Sequence, residues 1–301
     1  MSGADRSASA LDGARAARRA ETLGARLPPL LVQAERVAST VAQGVHGRRR
    51  VGQGDSFWQF RPFLAGDPAS RIDWRQSARS DRAYIRETEW EAAQTVCLWR
   101  DCGPSMRWKS RGQPVEKVAR AELLLLALAA LLLRGGERVR LIAPGTRALA
   151  GRHALDRLAD ELPRTGGEEG LPVETDLPRH ARVVLFGDLL SPLPEVQVVV
   201  GRLAAIPVVG TLLQILDPAE AALPYTGRVK FQGMRIAQEV LIPRVEGVRD
   251  AYAQRLAEQQ EGLAKICAAA GFGFSVHHTD HPPEAALLSL YTALAPVTGR
   301  R

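Results

Sequence analysis

Short apolar segments alternate with longer segments of helical pattern from residue 95 to residue 277, and this alternation limits the possible folds more than any other feature. The pattern predicts strands at Thr95–Arg100, Arg138–Ala143, Arg182–Gly187, Pro207–Leu216 and Phe272–His277. It predicts helices at Val115–Arg134, His153–Leu162, Pro194–Ala205 and Arg249–Ala270. Strands separated by helices of this length form a mostly parallel sheet with helices on both faces. The sequence therefore predicts a doubly wound α/β domain over residues 93–301.

The first 50 residues have a different character. Residues 1–26 are small, polar and charged, which is typical of a disordered tail. From Leu27 to Gly44, apolar residues recur at three- and four-residue spacing, as on one face of an amphipathic helix. Because an arginine triplet, Arg48 to Arg50, follows, residues 27–50 are predicted to form an N-terminal helix and a basic linker.

Residues 51–92, called here the Trp-rich block, mix aromatic residues with charges of both signs. Within it, Ala83–Trp90 alternates like an exposed strand. One interpretation is an internal network of ion pairs, with Trp58 and Trp74 as packed anchors. The other is a partner surface, because Trp and Arg often dominate binding energy at interfaces. The candidate interaction residues are Trp58, Arg61, Asp67, Arg71, Asp73, Trp74, Arg79 and Arg86.

The positive charge is concentrated near the N-terminus. The whole chain carries a formal charge of +7, and residues 1–50 hold nine arginines against four acidic residues, which leaves +2 for the rest. Nucleic-acid binding through the basic N-terminus is therefore an alternative hypothesis, but the folded part shows no excess of positive charge that would track a phosphate backbone. We expect nucleic acid to be an unlikely partner.

Cysteine content and hydropathy indicate the compartment. The chain has three cysteines, Cys97, Cys102 and Cys267. An odd number without a CxxC pair fits a reducing environment. The longest apolar run, Leu123–Leu133, is too short to cross a bilayer and predicts a buried helix. We expect a cytoplasmic, soluble protein without a membrane span.

Polar residues follow two of the predicted strands, at the edge where an open α/β sheet binds its ligands. Asp101 and Ser105 follow the first strand, and Asp188 follows the third. These oxygen donors predict a site for Mg²⁺ or another divalent cation. Loop bracing and helix capping by the same side chains are the alternative. A metal-dependent hydrolase using Asp101 and Asp188 is a second alternative function, although no histidine follows either strand to act as a general base.

The segment from about 45 to 300 resembles the domain of unknown function 58 family, whose core is similar to a von Willebrand factor A domain. The resemblance rests on Gly52–Trp58, on the block Gly66–Trp74 that contains Gly-Asp-x-x-x-Arg-x-Ile-Asp-Trp, on Ser77–Arg79 and Arg86–Glu87, and further on Asp101–Met106, Asp217–Glu220 and Thr279–Pro283. Many relatives carry membrane helices before this block, and the lack of a comparable apolar segment in this sequence predicts a soluble variant.

The resemblance also implies a site and a partner. Von Willebrand A domains carry a metal-ion-dependent adhesion site of the form Asp-x-Ser-x-Ser with a loop Thr and a later Asp. Asp101 and Ser105 match this motif, Gly103 replaces the first Ser, and Asp188 is the candidate for the later Asp. Thr146, Thr165 and Thr175 are all candidates for the loop Thr. The family implies a non-enzymatic adaptor or co-chaperone for a MoxR-type AAA+ ATPase.

Overall fold

The computed structural model describes residues 31–42, 57–63, 72–79, 82–88, 93–165, 170–173, 176–234 and 239–294. The chain divides into two compact units. One comprises residues 46–93, and the other comprises residues 1–45 together with 94–301. The predicted tail at 1–26 lies outside the described residues, as does the arginine triplet at 48–50.

The larger unit is built on a five-stranded sheet. The strands are β3 (Thr95–Arg100), β4 (Arg138–Leu141), β5 (Arg182–Gly187), β6 (Val209–Leu216) and β9 (Gly273–His278). Their order is β4-β3-β5-β6-β9, and every neighbouring pair is parallel. The predicted parallel α/β sheet is confirmed, with each strand within two residues of its predicted bounds.

Helices cover both faces of this sheet. They are α1 (31–42), α3 (Lys117–Arg134), α4 (Ala154–Glu161), α5 (Leu193–Ala204), α6 (Pro218–Ala222), α7 (Arg249–Ala269) and α8 (Pro283–Ala293). Buried side chains of α1, α3, α4 and α8 form one core cluster, and those of α5 and α7 form a second. Alternate residues of β3 enter different clusters, Val96 and Leu98 the first and Cys97 and Trp99 the second. The two clusters therefore lie on opposite faces of the sheet.

Helix α3 is the central helix of the first cluster. Every residue from Leu124 to Leu132 is at least 95% buried, as the apolar run predicted. Gly136 follows the helix at φ 83°, a conformation that glycine adopts without steric cost. Burial from several sides explains why this segment is apolar around its whole circumference.

Helix α1 packs with the larger unit. Ala34, Val37, Ala38 and Val41 are buried in the first core cluster, so the predicted amphipathic face is confirmed. Small side chains at positions 34 and 38, one turn apart, allow close approach of the helix backbone to its neighbours. The helix is thus an integral part of the core.

The sequence pattern did not reveal a two-stranded antiparallel ribbon. Its strands are β7 (Val229–Gln232) and β8 (Glu239–Ile242). Neither has a fully buried residue, and four residues are too few to show a clear apolar alternation. The ribbon is therefore invisible to a periodicity argument.

The smaller unit, residues 46–93, contains strands β1 (Phe57–Pro62) and β2 (Tyr84–Thr88), paired antiparallel, and the short helix α2 (Trp74–Ser77). The predicted strand Ala83–Trp90 is confirmed as β2. The Ser77 hydroxyl donates to the Asp73 carbonyl oxygen at 2.7 Å and accepts from the Tyr84 amide at 2.9 Å. These bonds join α2 to the start of β2.

Candidate functional site

Three buried aspartates follow three adjacent parallel strands. Asp101 follows β3, Asp188 follows β5 and Asp217 follows β6, and their side chains are 0%, 1% and 0% exposed. The carboxyl ends of parallel strands share one edge of the sheet, so these residues define what is called here the carboxyl edge. Asp101 and Asp188 lie at the strand ends where the sequence pattern placed them. Asp217 was indicated by the resemblance alone.

Asp101 is held by backbone groups on both sides. Its carboxylate oxygen Oδ1 accepts the Gly103 amide at 2.7 Å, and its own amide donates to the Phe186 carbonyl at 2.8 Å. A Cβ atom at Gly187 would lie 3.2 Å from the Asp101 Cβ, which is a tight contact, so glycine at this position lets the two strand ends approach closely. The carboxylate is therefore fixed in position by the strand ends.

Ser105 lies in a 3₁₀ turn, Pro104–Arg107, whose Met106 side chain is fully buried. The Ser105 hydroxyl is itself buried and has no hydrogen-bond partner among the described residues. A buried hydroxyl without a partner costs free energy, so this position suits a further polar ligand.

The loop after β5 is strained and firmly held. Leu189 has φ 51°, a left-handed conformation that costs a residue with a Cβ about 1–2 kcal/mol. Gln214 donates to the Asp188 carbonyl at 2.8 Å, and Gln259 donates to the Leu189 and Ser191 carbonyls at 3.2 and 2.9 Å. These bonds from β6 and α7 hold Asp188 in place.

Lys117, the first residue of α3, is a site residue that sequence reasoning missed. Its side chain is 0% exposed, and its Nζ lies 3.2 Å from Asp188 Oδ2 and 2.6 Å from Glu220 Oε1. The available signal was composition, because only 4 of the 40 basic residues are lysines. A buried lysine in such a chain indicates a position where a compact ammonium is needed and a planar guanidinium does not serve.

Asp217 and Glu220 form a capping box at the start of α6. Asp217 Oδ1 accepts the Ala219 amide at 2.8 Å, its Oδ2 accepts the Ser110 amide at 2.9 Å, and Glu220 Oε2 accepts the Asp217 amide at 3.0 Å. Burial raises the pKa of Glu220, and the opposing effect of Lys117 is smaller. Asp217 thus has a structural role, which is the alternative that capping propensity predicted for such residues.

The Lys117 ammonium opposes a divalent cation at Asp188. Two unit charges about 4 Å apart interact by about 4 kcal/mol at an effective dielectric constant of about 20, so the ammonium would offset about 8 kcal/mol of the attraction that the Asp188 carboxylate offers a divalent ion. The buried Ser105 hydroxyl, which has no hydrogen-bond partner among the described residues, favours a polar ligand near Asp101. The Lys117 ammonium at Asp188 disfavours a cation shared with Asp188. Cation binding by Asp101, Ser105 and Asp188 stays a prediction of the sequence.

The candidate loop threonines bond within their own loops. The Thr146 hydroxyl donates to the Leu141 and Ala143 carbonyls at 2.6 and 2.8 Å, and the Thr165 hydroxyl donates to the Leu162 carbonyl at 3.0 Å. Thr175 lies outside the described residues. Neither described threonine bonds to Asp101, Ser105 or Asp188 through these contacts.

The Trp-rich block belongs to the smaller unit. Trp74 is 70% exposed, Arg79 is exposed and Asp73 is half-buried. Trp74 is therefore not the packed anchor that the ion-pair interpretation requires. Asp67 and Arg71 lie outside the described residues, and Trp58, Arg61 and Arg86 belong to β1 and β2 without a description of their side chains.

The histidines at the end of β9 point in different directions, as strand alternation predicts. His277 is 5% exposed, and its Nε2 lies 2.9 Å from Arg120 Nη1. The same guanidinium donates to the carbonyls of Thr279 and His281 at 2.8 and 2.6 Å. The pKa of His277 is lowered to about 4, first by burial and then by the Arg120 charge. His278, Asp280 and His281 lie at the surface beyond it, with ligand atoms within 4.8 Å of one another.

The thiols are unsuited to nucleophilic chemistry. Burial raises the pKa of Cys97 and Cys267 to about 11 and also raises that of Cys102, where the smaller effect of the Arg100 charge opposes it. All three are free thiols. These raised pKa values disfavour a reactive thiolate at any of the three positions.

Among the described helices, none is both long and apolar enough to traverse a bilayer.

Comparison with solved structures finds a conserved hypothetical protein BatB from Bacteroides thetaiotaomicron at 14% identity, covering 67% of this chain and 97% of that chain with a TM-score of 0.35. An aerotolerance-related membrane protein from Bacteroides fragilis is 13% identical, with a TM-score of 0.36. The match covers 67% of this chain and 98% of that chain. An uncharacterized membrane spanning protein from Vibrio fischeri is 16% identical, with a TM-score of 0.17. The match covers 67% of this chain and 98% of that chain. Similarities of this size identify no function.

None of the curated proteins compared with this chain matches it. The family model described as "Protein of unknown function DUF58" matches residues 59–262, which is more than half of the chain. That match runs from within β1 through most of α7 and includes residues 59–92 of the Trp-rich block and the carboxyl edge. The chain therefore belongs to the DUF58 family.

Proposed function

We propose that this chain is a non-enzymatic protein-interaction module of the cytoplasm, acting as an adaptor or co-chaperone for a MoxR-type AAA+ ATPase. The DUF58 membership supports the choice of partner class, because the family resemblance implies such an ATPase. The proposal assigns the carboxyl edge no catalytic role. Its carboxylates accept backbone amides or the Lys117 ammonium, which are structural contacts.

The single observation that carries the proposal is the exposure of Trp74. A tryptophan that is 70% exposed on a short helix leaves a large apolar ring in water. Trp and Arg side chains are both enriched among the residues that dominate binding energy, and Arg79 of the same block is also exposed. The Trp-rich block is accordingly the proposed contact surface for the ATPase.

Two kinds of contact at the carboxyl edge are compatible with the adaptor role. A divalent cation held by Asp101, Ser105 and Asp188 would accept a carboxylate from the partner, as in an adhesion-type site. Alternatively, the edge contacts the partner without a metal, because Lys117 already supplies a cation. The geometry favours the metal-free contact.

The proposal is tested by affinity capture of the full chain from its native cell, with and without EDTA in the wash, followed by mass spectrometry. We expect a MoxR-type ATPase to co-purify with the wild-type chain. Trp74→Ala should reduce its recovery about tenfold or more, as expected for truncation of a dominant interface side chain. Val173→Ala is the matched control, since Val173 is 66% exposed and lies outside the Trp-rich block.

The outcomes separate the alternatives. Recovery of a MoxR-type ATPase that Trp74→Ala abolishes and Val173→Ala preserves supports the proposed surface. Recovery unaffected by Trp74→Ala would place the contact elsewhere, and absence of any such ATPase would contradict the proposed partner.

A further inference from the structure

Lys117 occupies the position at the carboxyl edge where charge compensation is needed. Its ammonium lies between Asp188, at the end of β5, and Glu220, in α6, while its own backbone begins α3. A buried ammonium is tolerated only when carboxylates and hydrogen bonds replace its hydration shell. Here two carboxylates do so, and three elements of the larger unit are joined through one positive charge.

We propose that Lys117 is the resident cation of this edge, in place of the divalent ion that the family resemblance implies. The ammonium neutralises Asp188, the candidate for the later aspartate of an adhesion site, and it does so from within the protein. The wild-type chain therefore binds neither Mg²⁺ nor Mn²⁺ at Asp188, and its contacts with a partner do not depend on a metal.

The replaced serine of the motif is consistent with this assignment. An adhesion-type site loses one hydroxyl ligand at Gly103, and Gly103 instead donates its amide to Asp101 Oδ1 at 2.7 Å. Gly103 offers no hydroxyl, and Lys117 contacts the Asp188 carboxylate. The site therefore has fewer oxygen donors than Mg²⁺ prefers. The remaining orphan hydroxyl, Ser105, is a single donor and does not make a site by itself.

The assignment also predicts that the carboxyl edge gains a metal site when the Lys117 ammonium is removed. Removing the ammonium takes away the positive charge that both Asp188 and Glu220 contact, and two carboxylates close to one position attract a hard cation. Lys117→Met keeps most of the apolar stem and removes the charge. The variant should be less stable than wild type in the absence of metal and should regain stability when Mg²⁺ is added.

The test is a titration of the isolated full chain with MgCl₂ and, separately, MnCl₂. Thermal unfolding and Mn²⁺ electron paramagnetic resonance are the readouts. For wild type and for Lys109→Met, a control lysine with an exposed hydrogen bond, we expect no shift in Tm and no bound Mn²⁺ that Asp188→Asn removes. For Lys117→Met, 10 mM Mg²⁺ should raise Tm by about 3–6 °C if the acquired site has a Kd of about 1 mM.

Two results would overturn the inference. The first is Mg²⁺ or Mn²⁺ binding by the wild-type chain that Asp188→Asn abolishes. The second is a Lys117→Met chain that folds yet gains no affinity for either ion. If Lys117→Met does not fold, the milder double variant Lys117→Met/Glu220→Gln, which restores the charge balance, takes its place with the same expectation at a smaller shift.

This inference rests on the proposed function only for the identity of the partner. The titration involves no partner, so wild-type metal binding would contradict the resident-cation assignment and leave the adaptor role to be decided by ATPase capture. Conversely, failure to capture an ATPase would leave the titration result unchanged.

Discussion

Individual buried polar residues define the carboxyl edge more sharply than any motif does. Asp101 and Asp188 were predictable, because an aspartate directly after a buried strand lies at the ligand-binding edge of a parallel sheet. Lys117 was not predictable, because it lies 71 positions before Asp188 and the contact exists only after α3 packs against the sheet. Periodicity places a helix but does not reveal which carboxylate its first residue will meet.

His277 provides a pH-dependent prediction at the same scale. Its pKa is about 4 in the folded protein, whereas an unfolded chain has an ordinary histidine pKa near 6.5. The unfolded state therefore binds more protons between these values, and stability falls as the pH falls through this window. Between pH 7 and pH 5 we expect the wild-type chain to lose about 2 kcal/mol of unfolding free energy from this residue.

The measurement is urea unfolding at both pH values for wild type and His277→Gln. The glutamine cannot titrate and retains a polar atom toward Arg120. The variant should lose about 2 kcal/mol less than wild type between pH 7 and pH 5. Because His278, Asp280 and His281 lie nearby and are unchanged in the variant, their contributions cancel in the comparison. Equal losses for the two proteins would show that His277 is not held neutral by burial.

At the scale of elements, the sheet and its helices follow from the alternation of apolar strands with helical segments. Strand β3 and strand β5 occupy their predicted residues, since continuous apolar runs bounded by charged residues leave little choice of register. The ribbon of β7 and β8 could not be predicted, because its four-residue strands bury no residue fully. Tertiary packing that supplies no apolar signal is beyond a single-sequence pattern.

Glycines in two adjacent strands give a matched prediction about this packing. A Cβ atom at Gly210, in β6, would overlap the ring carbons Cδ2 and Cε2 of Phe272, which is 6% exposed. At Gly273, in the neighbouring β9, the nearest atom would be Thr211 Oγ1 at 3.4 Å. The first position therefore requires glycine for close packing, and the second does not.

We expect Gly210→Ala to lower the unfolding free energy by about 1–3 kcal/mol, as overpacking of a dense core does. Gly273→Ala should change it by about 0.5 kcal/mol or less. Chemical denaturation of both variants measures the difference. Similar stabilities would mean that the Phe272 ring moves aside without cost, against the close packing of the second core cluster.

For the whole molecule, charge and chain organisation limit the function. The basic excess lies within residues 1–50, but α1 is also in that range and packs into the core through Ala34 and Ala38. A deletion of residues 1–50 would therefore remove part of the core together with the arginines. Replacing Arg48 to Arg50 therefore tests nucleic-acid binding better than truncation does. The variants Asp101→Asn and Asp188→Asn test the metal-dependent hydrolase hypothesis.

Membership of the DUF58 family, the exposed Trp74 and a carboxyl edge compensated by Lys117 together support an adaptor that binds through protein surfaces. This account requires direct contact between the chain and its ATPase, without a third component. It also requires that the contact involve the Trp-rich block. Both requirements concern purified proteins and can be examined in one measurement.

That measurement is sedimentation velocity of the purified full chain with a purified MoxR-type ATPase from the same cell, in buffer containing Mg²⁺ and nucleotide for the ATPase. We predict co-sedimentation of the wild-type chain with a Kd of about 10 µM or tighter, equivalent to about −7 kcal/mol. Trp74→Ala should weaken it about tenfold or more, and Val173→Ala should not. Absence of co-sedimentation by the wild-type chain at about 100 µM, a concentration at which such a complex would be nearly saturated, would contradict the account.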